Sequence, residues 1–240
     1  MPDLPDLITT PFRWLGALRH ARVFHPDGLL CGGRASVSGD HPLPFRSGPV
    51  TVRLSKGIGT PGGLPDIVGV AVRFPAVAPT NAPAPADAPT PTVTGDTASG
   101  AWDLLLAGPA PLSGRLPVPL PATHWAPTAV SSLTPYRYDG ELYWIRARII
   151  EPTGPSGLNV EDLAACLRTK KPVVIILEAG FKRFVPLARI ELDHVLTGLD
   201  IDFDPILHRP DGVEFAPSWL GDLRRRAYRD SRKGRHSVVS

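Results

Sequence analysis

Pro49-Val50-Thr51-Val52-Arg53-Leu54-Ser55 and Ile67-Val68-Gly69-Val70-Ala71-Val72-Arg73-Phe74 decide the fold of this chain. Both are short, rich in β-branched residues and bounded by Gly or Pro, which is the pattern of β-strands. In a strand successive side chains point to opposite faces, so Arg53 and Ser55 share one face. Further runs of the same kind lie at 29–38, 101–106, 126–132, 142–150, 172–178, 184–192 and 199–203. Their alternation and turn punctuation predict an antiparallel barrel of about eight strands. Three helices are expected beside it. One covers 11–20. A second is capped by Asn159 and runs to Arg168, with Glu161 and Asp162 in its first turn. A third starts at Pro217 and Ser218. The fold class expected is therefore α+β.

With 240 residues, 42% of them hydrophobic, the chain can bury a core as a single domain over 1–240. Residues 75–100 are rich in Pro, Ala and Thr without periodicity, and read as a loop inserted between two barrel strands. The net charge is only +3, but six Arg and one Lys crowd residues 224–235. Asp222 and Asp230 break that run and no aromatic platform accompanies it, so nucleic acid is not an expected partner. Cys31 and Cys166 lack metal or redox spacing, which fits a reduced, cytoplasmic protein. Residues 1–5 do not open a secretory signal, and no run of about 18 apolar residues predicts a membrane span.

Two clusters carry chemistry. Arg224 and Tyr228 lie four apart on the last expected helix, so guanidinium and phenol share a face. A fixed cation beside a phenol favours the phenolate, which can be the single axial ligand of a haem iron. The bland alternative is a solvated basic helix end. Arg22, His25, Arg53 and Ser55 form the second cluster. They offer an acid/base, an orienting hydroxyl and two anion clamps, or else a structural histidine with ordinary surface arginines.

Arg22-Val-Phe-His25, Val52-Arg53-Leu-Ser55, Asp66-Ile-Val-Gly69-Val-Ala-Val-Arg-Phe74, Trp102-Asp103-Leu104, Pro186-Leu-Ala188-Arg189, Phe203-Asp204-Pro205 and Arg224-x-x-x-Tyr228-x-Asp230 follow one another in order. Together they resemble the motifs of the catalase superfamily of haem proteins. The resemblance runs from residue 22 to 235, without the wrapping and C-terminal regions of a full-length catalase.

The resemblance implies haem b within the barrel, with Tyr228 as iron ligand and Arg224 as its charge partner. His25 would be the distal acid/base and Ser55 its orienting hydroxyl. Arg22, Arg53 and Arg235 would hold the haem propionates. One departure stands out. The family follows Trp-Asp-Leu with an amide-bearing Asn, where this chain reads Leu105-Leu106-Ala107-Gly108. The expected activity is a peroxidase using hydrogen peroxide or an organic hydroperoxide with a small organic reductant, and weak as a catalase. Two alternatives remain open: a hydroperoxide isomerase or oxygenase whose wall is Leu105, Leu106 and Ala107, and a non-catalytic haem binder. A monomer or homodimer is expected. His194, His208, Asp202 and Asp204 read as structural, Trp102 and Trp144 as core.

Overall fold

The structure, a computed structural model, describes residues 28–39, 41–75, 100–108, 119–152, 157–199 and 201–216. Its strands are β1 (Gly28–Val37), β2 (Gly48–Lys56), β3 (Val68–Phe74), β4 (Trp102–Gly108), β5 (Thr128–Ser131), β6 (Tyr136–Tyr138), β7 (Glu141–Glu151), β8 (Val173–Gly180), β9 (Val185–Val195) and β10 (Glu214–Phe215). All pairings between them are antiparallel. Strands β1, β2, β3, β4, β5, β7, β8 and β9 pair in a closed ring, which removes the exposed edges an open sheet would carry. The short β6 and β10 extend the sheet beside the first residues of β7.

Alternation decides what fills the ring. Cys31, Val52, Val72 and Leu104 are aligned across β1–β4, and all are fully buried. Ile145, Ala147, Ile149, Ile175, Leu177 and Ile190 complete the interior from β7, β8 and β9. Burial pushes the Cys31 thiol up to about 12, so it stays protonated and acts as a small apolar side chain. The cysteines are both free, as the sequence predicts.

Each end of the barrel is plugged. At one end Trp102 stacks on Phe45 with centroids 4.0 Å apart, and meets the Tyr136 ring edge-on at 5.6 Å. Such pairs add about 1 kcal/mol each beyond the area they bury. At the other end sits helix α1 (Val160–Arg168), which turns Leu163, Ala164 and Leu167 toward the barrel. The Asn159 side chain accepts from the Glu161 N–H, so the cap is as expected. Trp125 closes the same end and donates from Nε1 to the Asn159 carbonyl at 3.1 Å. Phe74 and Trp102 are in register, so the segment between them leaves and returns at one end of a single hairpin.

Several expectations need correcting. Among the described residues α1 is the one helix, and these residues are mainly β rather than α+β. The helices expected over 11–20 and after Ser218 lie outside them, as does nearly all of the 75–100 insertion. The described residues of the expected strand, 199 and 201–203, form no strand, for reasons given below. Trp144 is half-buried on the outer face rather than in the core. Among the described residues no helix is long and apolar enough to cross a membrane.

Candidate functional site

Because the barrel is filled, the side chains available for binding are those that point outward. In β2 these are Thr51, Arg53 and Ser55, since Val50, Val52 and Leu54 occupy the interior. Register then builds a row across five strands. Gly28 pairs with Ser55, Ser55 with Gly69, Gly69 with Ala107, and Ala107 with Ser131. At a strand spacing of about 4.8 Å the row is roughly 19 Å long, and nothing in it is larger than a hydroxymethyl group. The next row reads Leu30, Arg53, Ala71, Leu105.

The two ends of this lane differ in chemistry. At the β1 end the Arg53 guanidinium lies over Gly28, whose Cβ, were it present, would be 2.7 Å from Nε. At the β4–β5 end Ile67, Ala107 and Leu133 form an apolar cluster apart from the barrel core. Between them Ser55 is only 5% exposed. The row is itself covered: Gly69 is buried, and Ser55, Ala107 and Ser131 are each 5% exposed or less.

Arg53 and Ser55 thus share a face, as the alternation predicts. His25, Arg22, Arg224, Tyr228 and Arg235 lie outside the described residues. Two expectations are corrected. The barrel interior has no room for haem, because side chains fill it. The wall expected from Leu105, Leu106 and Ala107 is broken by alternation: Leu106 pairs with Val70 inside the barrel, and only Leu105 and Ala107 face outward.

A polar network not anticipated from the sequence forms on the outer face of β4. Asp103, fully buried on the outer face of β4, accepts from Arg73 Nε and Nη2, both at 2.7 Å. It also accepts from the Asp204 N–H at 2.7 Å and from His208 Nδ1 at 2.8 Å. The Nη2 hydrogens of Arg73 go to Asp103 and the Asp202 carbonyl, so His208 Nδ1 donates its own proton. Arg73 also lies over the Phe203 ring, 5.4 Å from its centroid. Residues 201–204 spend their backbone groups on these side chains rather than on a strand ladder, which is why the expected strand is missing. Asp204 instead accepts from the N–H groups of Ile206 and Leu207, making a turn as expected. Three segments of the resemblance, 66–74, 102–104 and 203–205, therefore meet at one carboxylate. An Asp inside the apolar run Trp102-Asp103-Leu104 was the available signal, since a buried charge must find a partner.

The glycine-rich loop over 57–63 is closed by its own residues. Asp66 accepts from the N–H of Ile58 at 2.8 Å, of Thr60 at 2.7 Å and of Ile67 at 2.6 Å, and from the Thr60 hydroxyl at 2.9 Å. Lys56 donates to the carbonyls of Thr60 and Gly62. The N–H groups of Ile58 and Thr60 are thereby committed to the Asp66 carboxylate. Burial alone would raise the Asp66 carboxyl, but the hydrogen bonds to its anion outweigh burial and hold it below the usual range. A depressed value contributes stability above about pH 4, and that contribution is lost as pH falls through the folded-state value. Asp66→Asn should therefore cost on the order of 2–3 kcal/mol at pH 7 and progressively less below pH 4. Urea unfolding at pH 7 and pH 3 measures this, and a gap independent of pH would contradict it.

No protein-family model matches this sequence, and no curated protein matches it either.

Proposed function

We propose that this chain is a haem-dependent peroxidase of the catalase-like type, acting on hydrogen peroxide or an organic hydroperoxide and weak as a catalase. The observation that carries the reading is that Arg53 and Ser55 share the outer face of β2, in a row of small residues that ends at the apolar cluster of Ile67, Ala107 and Leu133. Haem b has that asymmetry: two carboxylates on one edge and apolar substituents on the other. It would lie against the outer wall of the barrel.

In this reading Arg53, with Arg22 and Arg235, holds the propionates, because a guanidinium fork matches a carboxylate. Tyr228 ligates the iron and Arg224 keeps its phenol ionised. Bound there, haem supplies the iron at which peroxide is reduced. The other steps belong to side chains. His25 precedes Gly28 by three residues, and three residues span at most about 11 Å. Gly28 is in register with Ser55. His25 accepts the proton of peroxide and returns it to the departing oxygen, while Ser55 fixes its ring.

Ala107 provides no amide to orient peroxide. Disproportionation, which would need a second peroxide to be oriented as well, would suffer more from the missing amide than oxidation of an organic reductant would. The apolar cluster of Ile67, Ala107 and Leu133 favours a second reading on the same site, isomerisation or oxygenation of an organic hydroperoxide. The free cysteines support a cytoplasmic setting, and a monomer or homodimer is proposed. Oxygen release and reductant oxidation are to be compared on one haem-loaded sample. Slow oxygen release with measurable reductant or hydroperoxide consumption is expected. Oxygen release at the rate of a full catalase would refute the reading, and inertness in both assays would favour the non-catalytic binder.

A further inference from the structure

We propose that the tips of the β6–β7 and β8–β9 hairpins form one face on which a second copy of this chain docks about a two-fold axis; this concerns assembly and does not rest on the haem reading. Tyr138 pairs with Glu141, so Asp139 and Gly140 make a two-residue turn, with φ of 48° and 78°. Asp-Gly is a sequence such a turn favours. It leaves Asp139 and Glu141 exposed, and neither makes an ion pair among the described residues. On the neighbouring hairpin Trp144 is in register with Gly180, after which Phe181, Lys182 and Arg183 turn the chain. The base of this hairpin is braced. Phe184 lies under the Arg146 guanidinium, 4.3 Å from the ring centroid, and Glu178 holds Arg146 at 2.8 Å. The tip is not covered: Phe181 is 48% and Val185 39% exposed. Lys182 and Arg183 are exposed too, and make no ion pair among the described residues.

One face thus carries two anions and two cations on adjacent hairpins of the same barrel end, and they do not neutralise each other within the chain. Glu141 precedes Trp144 by three residues, about 10 Å of strand, so the acidic tip stands beyond the basic one. A two-fold axis sets each tip against its complement. Lys182 and Arg183 of one copy meet Asp139 and Glu141 of the other, and the same contact recurs in reverse. Phe181 and Val185 supply the apolar area between the two charged contacts. A membrane or nucleic acid fits less well, because a polyanion that attracts the basic tip is repelled by the acidic tip beside it.

The test is sedimentation equilibrium of the full chain over a concentration series, with no haem added. The wild type should dimerise with a micromolar Kd that weakens several-fold between about 0.1 M and about 1 M salt, as the Debye length falls from about 10 Å to about 3 Å. Lys182→Glu with Arg183→Glu makes both tips acidic, and Asp139→Asn with Glu141→Lys makes both basic; Asn is chosen because it tolerates the positive φ at 139. Each variant alone should dimerise at least about tenfold more weakly, since like charges then meet across the axis. Mixed in equal amounts, the two should form a heterodimer at least as tight as the wild-type dimer. Phe181→Ser should raise the Kd about tenfold and leave its salt dependence unchanged. All these positions are exposed tips, so thermal unfolding should match the wild type. A wild type that stays monomeric throughout, charge variants that dimerise as the wild type does, or a mixture that fails to associate would overturn the proposal. None of these results bears on the haem reading, which a haem titration decides separately.

Discussion

Asp103→Ala is expected to destabilise the protein by about 3–5 kcal/mol, the range for removing one partner of a buried ion pair. For a chain of this size that corresponds to a fall in Tm on the order of 10 °C. The carboxylate is fully buried and is the common acceptor for Arg73, His208 and the Asp204 N–H. Its loss strands a cation whose side chain is only 22% exposed and leaves the 201–208 segment without its anchor on β4. Asp103→Asn should cost less, because one amide oxygen still accepts from Arg73. Thermal and urea unfolding measure both variants. An Asp103→Ala protein within 1 kcal/mol of wild type would mean that Arg73 and His208 are satisfied elsewhere, and that the network does not hold this side of the barrel together.

The largest effect on chemistry is expected from His25→Ala. In the proposed reading His25 moves a proton and does not bind iron. Its removal should therefore slow the reaction with peroxide by about 10²- to 10⁴-fold, the usual scale of general acid–base catalysis. Haem affinity should change little, because capture rests on Tyr228 and the arginines. Rapid mixing of haem-loaded protein with peroxide, alongside a haem titration, separates the two quantities. A wild-type rate in the variant would remove His25 from the mechanism. A parallel collapse of haem affinity would make it a binding residue instead.

The barrel was legible because its strands are regular. Runs such as Val68–Phe74 alternate without interruption, and eight of the nine expected strands appear within about two residues of their predicted ends at most positions. The failure at 199–203 has a long-range cause. That segment alternates as a strand would, but Arg73 and Asp103, distant in sequence, claim its backbone groups. The short β6 and β10 are too brief for any period to register. Alternation placed Arg53 and Ser55 together but could not say which face was inner. Both faces of β2 are covered at its end, where Ser55 and Lys56 are alike buried. The placement of haem within the barrel came from the resemblance and not from alternation. The row from Gly28 to Ser131 was invisible for another reason. It exists only in the register of five strands, and Gly, Ser and Ala carry no signal singly.

The most direct test of the account is the absorption spectrum of the purified protein as ferric haem is added. One saturable Soret transition per chain is predicted, with the bands of a high-spin ferric iron bound by tyrosinate, altered or lost in Tyr228→Phe. A spectrum that remains that of free haem at every ratio, or one unchanged in Tyr228→Phe, would contradict it.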